Sequence, residues 1–92
     1  MALTFEWSIR KAAQNLRKHG VTFEEAASCF GDPLSLSIPD PDHSEAEERW
    51  VLAGMSKLGR LLVVSHTDHQ GRIRIISGRL AARHERKRYE EG

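Results

Sequence analysis

The side chains best suited to chemistry lie in the last third of the chain. Arg72 and Arg74 alternate along a strand-like run, and Arg79 follows at its end. On a helix beginning near Leu80, Arg79, Ala82, Arg83, Arg86 and Tyr89 fall along one stripe at three- and four-residue steps. A guanidinium is planar, permanently charged and matched to pairs of phosphate oxygens. A phenol ring stacks on a base or passes a proton. This combination is suited to nucleic acid. The competing reading is a solvated basic helix on which Tyr89 caps the core and Glu85 pairs with a basic neighbour.

Other reactive types are scattered. His19 follows Lys18 at the end of a helical run, where a cation suits the helix dipole and an imidazole suits proton transfer near neutral pH. His66 shares a strand face with Leu62 and Val64, the usual setting of a satisfied core histidine. His66, Asp68 and His69 offer donors to a metal without helical ligand spacing. Asp40, Asp42, His43, Glu45, Glu47 and Glu48 read as an exposed acidic loop, because no glycine falls where a calcium loop needs one. No metal site and no cofactor are expected. Cys29 reads as a small buried hydrophobe. No Ser-His-Asp or Cys-His spacing marks a covalent nucleophile, and the glycines are isolated rather than gathered in a phosphate loop.

These groups need elements to hold them. Thr4 to Trp7 reads as an opening strand, and Ser8 caps a helix whose apolar face is Ile9, Ala12, Ala13 and Leu16, ended by Gly20. Thr22 and Glu25 form a capping box for a second helix, with Val21 stapled to Ala26 and Phe23, Ala26, Ala27 and Phe30 facing the core. Gly31 and Pro33 stop it. Leu34 to Ile38, Arg49 to Met55, Arg60 to Thr67 and Arg72 to Ser77 read as strands, with a prolyl, acidic loop over Ser37 to Glu48. Short turns at Lys57–Arg60 and Asp68–Gly71 make their neighbours antiparallel. A helix from Leu80 to Glu91 closes the chain with a poor apolar face. The expected fold is α+β: an antiparallel sheet of about four to five strands, two N-terminal helices and one C-terminal helix.

With 92 residues the expectation is a single domain over 1–92. One cysteine excludes an internal disulfide and favours a reducing cytoplasm. No apolar run approaches a membrane span, and Met1 to Trp7 lacks the pattern of a signal peptide. The net charge of +1 hides a basic, acidic, basic order: residues 21–48 hold no Lys or Arg, and the flanking segments hold all of them. Such segregation fits contact with nucleic acid or an oppositely charged partner, and it equally fits acidic and basic stretches lying side by side after folding.

Three stretches resemble the BrnT toxin family in its order: FEW with NLRKHGVTFEEA between Phe5 and Ala26, DPDHSEAEERW from Asp40 to Trp50, and RIRIISGRLAARHERKRYEE from Arg72 to Glu91. Ser8 stands where that family usually has an acid, and Gly78 where it usually has alanine. The glycine is expected to loosen Arg79. The resemblance implies a RelE-like fold and metal-independent endoribonuclease activity that arrests translation. It implies neutralisation by a cognate BrnA-like antitoxin, a ribbon-helix-helix protein through which the complex reaches operator DNA. RNA, on or off the ribosome, is the implied substrate. Arg79, Arg83, Tyr89 and His19 are then the catalytic candidates, and Lys18, Arg72, Arg74 and Arg86 the RNA-binding ones. The alternatives are a non-catalytic nucleic-acid-binding module and a disabled toxin that only binds its antitoxin.

Overall fold

The computed structural model describes residues 3–40 and 48–92. The order is β1 (Thr4–Glu6), α1 (Ile9–His19), α2 (Phe23–Ser28), a 3-10 turn (Cys29–Gly31), β2 (Leu36–Pro39), β3 (Arg49–Met55), β4 (Leu61–His69), β5 (Arg72–Leu80) and α3 (Arg83–Glu91). The sheet runs β1-β5-β4-β3-β2. Its short-linked neighbours are antiparallel as expected, while β1 pairs parallel to β5, which makes the sheet mixed. Pro39 ends β2 instead of opening a loop. A proline is tolerated there because β2 is an edge strand. Residues 41–47 of the expected acidic loop lie outside the described residues.

Helices α1 and α2 cover one face. Val21, Phe23, Ala26 and Cys29 pack against Leu52, Leu62, Val64, Ile73 and Ile75. Ser8 Oγ caps α1 by accepting the Lys11 N–H at 3.3 Å, and Thr22 Oγ1 caps α2 by accepting that of Glu25 at 3.0 Å. The face of α1 differs from the sequence reading. Ile9 is 85% exposed and Leu16 49%, whereas Asn15 is buried. The reason is the open edge of β5. Among the described residues, no strand pairs with that edge beyond Arg74. Asn15 fills that place: Nδ2 donates to the Gly78 carbonyl at 2.8 Å, and Oδ1 accepts the Gly78 N–H at 3.1 Å. Nδ2 also reaches Val21 O at 2.9 Å. Satisfying buried backbone groups outweighs burying two more apolar chains.

The capping box at Thr22 is half formed. The Glu25 carboxylate turns inward to Arg60, whose Nε donates at 2.9 Å, and to Ser56 Oγ at 2.7 Å. A guanidinium and a hydroxyl are better partners for a buried carboxylate than one N–H, and Arg60 foremost holds its pKa below the ordinary value. Gly78 is also not a loosening residue. Both its backbone groups are held by Asn15, and an added Cβ would lie 3.1 Å from Ala26 Cβ. It is a close-packing glycine that lets α2 approach the sheet.

Candidate nucleic-acid interface

The second face of the sheet carries the candidate residues, and a bulge brings them to one side. Ser65 pairs with Ser77, but the next residue, His66, pairs with Ile75, so Ile76 is extra on β5. Strict alternation would put Arg72 and Arg74 on the face opposite Arg79, since 74 and 79 differ by an odd number. The extra residue shifts the phase, and all three arginines share one face with Ser77. The β4–β5 turn is tight, with Gln70 and Gly71 both at positive φ, as the two-residue hairpin loop that matches strand twist requires.

Cross-strand rows define the face. Ala53, Val63 and Arg79 form one; Val51, Ser65 and Ser77 the next; Arg49, Thr67 and Arg74 the third. Glu6 on β1 lies beside Arg74 and pairs with Arg72 at 3.6 Å. By strand geometry Arg79 and Arg74 stand roughly 13 Å apart. Among the described residues, no ion pair joins Arg49 or Arg74 to a carboxylate. The face therefore grades from aliphatic near β2 to cationic near the β4–β5 turn.

Helix α3 covers the aliphatic half through two polar ties. Arg79 grips Glu85 in a two-pronged pair, Nη1 to Oε1 at 2.7 Å and Nη2 to Oε2 at 2.8 Å. Glu85 Oε1 also accepts the Ala82 N–H at 2.7 Å, closing the first turn of α3. Arg79 foremost, with that backbone donor, pulls the Glu85 carboxyl down to about 2. The Tyr89 hydroxyl donates to Asp32 Oδ2, which also accepts the Met55 N–H at 2.8 Å. Asp32 Oδ1 accepts the Leu34 N–H at 2.9 Å. The Asp32 bond pushes the Tyr89 phenol up to about 12, and the same bond leads in holding Asp32 below the ordinary range. Under α3 a cleft of about 230 Å³ remains, floored by β2, β3 and β4 and walled by His84, Glu85, Arg88 and Tyr89.

The sequence-predicted residues divide. Arg72, Arg74 and Arg79 come together with Tyr89 near by on the same face. The helical stripe does not form as one unit, because β5 continues to Leu80 and α3 starts only at Arg83. Arg83 and Arg86 are exposed and line no part of the cleft, with Arg86 4.0 Å from Glu90. His19 and Lys18 end α1, which packs on the opposite face, and share no hydrogen bond with Arg79 or Tyr89. His66 lies in the core, edge-on to Phe30 at 4.7 Å, and burial lowers its pKa. Burial likewise raises the Cys29 thiol to about 12. Among the described residues no group of three metal-ligating side chains gathers.

Sequence reading missed Arg49, Ser65, Ser77, Asp32, His84 and Arg88. Only the strand register reveals the first three. Asp32 had a local signal, an acid before Pro33 able to bond the backbone two residues on.

A family profile described as the ribonuclease toxin BrnT of type II toxin–antitoxin systems matches residues 7–85. Among solved structures, the crystal structure of the Brucella abortus ribonuclease toxin BrnT is similar in fold, with a TM-score of 0.64 at 19% identity over 89% of this chain and 100% of that one. No curated protein sequence matches. No helix of the described residues is long and apolar enough to cross a membrane. The profile spans most of the chain, including β5 with its arginines and the Glu85 tie: the chain belongs to the BrnT family of ribonuclease toxins of type II toxin–antitoxin systems.

Proposed function

We propose that this chain is a metal-independent endoribonuclease that cuts RNA in the cytoplasm, arrests translation and is silenced by a BrnA-like ribbon-helix-helix antitoxin. The observation that carries the proposal is the bulged strand β5, which sets Arg74, Ser77 and Arg79 on the same face as Arg49. In such a reaction the ribose 2′-oxygen attacks phosphorus as a base takes its proton. The P–O5′ bond breaks, the 5′-oxygen gains a proton, and a 2′,3′-cyclic phosphate and a 5′-hydroxyl result. Fixed cations stabilise the dianionic phosphorane between these steps. Arg79 is suited to that role, exchanging the Glu85 carboxylate for phosphate oxygens of similar geometry. Arg74, Arg49 and Arg72 track the flanking phosphates. His19 lies on the other face, whereas His84 lines the cleft and is an imidazole suited to proton transfer.

The occupied Arg79 fork and the tied Tyr89 hydroxyl favour a second reading, a non-catalytic binding module or a toxin disabled except for antitoxin binding. One experiment separates them. The chain and its Arg79→Ala variant are added to a cell-free translation reaction, protein output and messenger-RNA ends are followed, and cutting of purified RNA is repeated with chelator to test metal independence. New ends bearing cyclic phosphate, absent with the variant, are expected. Intact RNA with normal protein output retires the enzyme.

A further inference from the structure

The cleft under α3 is a site in its own right. Its floor is aliphatic, made by Val51, Ala53 and Val63 with Leu36 and Ile38 from β2. One wall is the Tyr89 ring, fixed in orientation because its hydroxyl is tied to Asp32. Arg88 and His84 stand at the rim, and among the described residues no ion pair joins Arg88 to a carboxylate. Val63 lies directly beside Arg79 across the β4–β5 pair, so the cleft opens next to the best phosphate ligand. At about 230 Å³ it holds roughly the volume of eight liquid water molecules. A partner helix, about 10–12 Å across, does not enter such a space. A single flat ring system does.

From this geometry we infer that the cleft takes one unstacked nucleobase of a single-stranded RNA, with the attached phosphate on the Arg79 and Arg88 side. Unstacked bases are held by aromatic rings and guanidinium planes, with hydrogen bonds at their edges. The cleft offers an immobilised phenol ring, the Arg88 guanidinium, an imidazole for an edge hydrogen bond and an aliphatic surface for the opposite ring face. Arg88 stands at the rim where the ligand is anionic, the Glu85 carboxylate in the wall is paired by Arg79, and the floor is aliphatic where the ligand is apolar. The inference rests on RNA being the substrate and adds a specificity site to it. A base held here fixes which nucleotide lies next to the phosphate presented to Arg79.

The test is a titration followed by methyl nuclear magnetic resonance. The full chain receives each of the four nucleoside 5′-monophosphates in turn, then ribose 5-phosphate and inorganic phosphate as probes without a base, then a five-nucleotide RNA. The expected result is saturable movement of the Ile38, Val51 and Val63 methyl signals and the Tyr89 ring signals with nucleotides and RNA, and none with the base-free probes. Ala53→Leu, which fills the floor, is expected to weaken nucleotide binding at least tenfold while the Val64 and Ile75 signals report an intact core. Equal movement with ribose 5-phosphate overturns the inference, as does a silent cleft with nucleotides and RNA alike. A response in wild type that survives the filled floor also overturns it. Cleavage is scored separately: a chain that binds bases here but cuts no RNA retires the ribonuclease reading and keeps the cleft, and a chain that cuts RNA with a silent cleft does the reverse.

Discussion

The two faces of the sheet use the same residue types to different ends. On the α1–α2 face, Asn15, Glu25 and His66 are buried, and each is held by partners inside the protein. Their polarity is spent on the fold. On the α3 face the charged groups are partly exposed, and Arg49 and Arg74 meet no carboxylate among the described residues. A polar side chain is informative about function when its partners are missing, and informative about architecture when they are present. Arg79 stands at the boundary, partly exposed and partnered by the Glu85 carboxylate.

Substitutions can break this contrast. The largest expected effect is that of Arg79→Ala: loss of one preorganised cation lowers single-turnover RNA cleavage about 100- to 1,000-fold. Urea stability should change far less, because Glu85 keeps its bond to the Ala82 N–H. A variant that unfolds instead would move Arg79 into the architectural class. On the other face, Asn15→Ala strands the Gly78 N–H and carbonyl and the Val21 carbonyl, and is expected to cost about 3 kcal/mol in urea denaturation. Asn15→Asp should be no better, since a carboxylate donates to neither carbonyl. Arg74→Ala removes one phosphate contact, so the slope of log affinity against log salt for single-stranded RNA should fall by about 0.7 with little change in stability.

The smallest effect sharpens the boundary. Tyr89→Phe loses one hydrogen bond to a charged, partly solvated group and should cost about 1 kcal/mol. The two ties of α3 also set a pH window. Glu85 is depressed to about 2, so its contribution is complete above its ordinary value near 4.5 and is lost as pH falls toward 2. Tyr89 is raised to about 12, so its contribution is complete below its ordinary value near 10 and is lost as pH rises through 12. Helix α3 should therefore stay docked between about pH 5 and 10. Tyr89 is the one tyrosine of the chain, so its phenolate absorbance reads the upper limb directly. An ordinary midpoint near 10 would show that the Asp32 tie is absent in solution.

Much of the fold was legible because it follows local chemistry. Ser8 and Thr22 cap where their spacing predicts, Gly20 ends α1, and Gln70 and Gly71 of the expected turn link β4 to β5, while Asp68 and His69 continue β4. What local pattern could not carry was partnership across the chain. The inward turn of Asn15 depends on an edge 63 residues away, and that of Glu25 on Arg60, 35 residues away. For the site, Arg72, Arg74, Arg79 and Tyr89 were visible as types suited to phosphate and bases. Their grouping was not, because the stripe drawn through Arg79, Arg83 and Arg86 assumed one helix across a strand–helix boundary. The added residue at Ile76 sets the phase of β5 and leaves no mark in composition. Arg49 escaped for a similar reason, since nothing in its own neighbourhood says which face it shares.

The pairing of β1 with β5 also has a kinetic side. The first strand rests beside the last, and Asn15 waits for Gly78. A ribosome making the chain from its N-terminus exposes β1 and α1 long before their partners exist, so neither can settle until β5 has emerged. Such long sequence separation raises contact order and slows folding relative to a chain closed by neighbours. The nascent protein should thus stay protease-sensitive until β5 has emerged and become resistant in that one step.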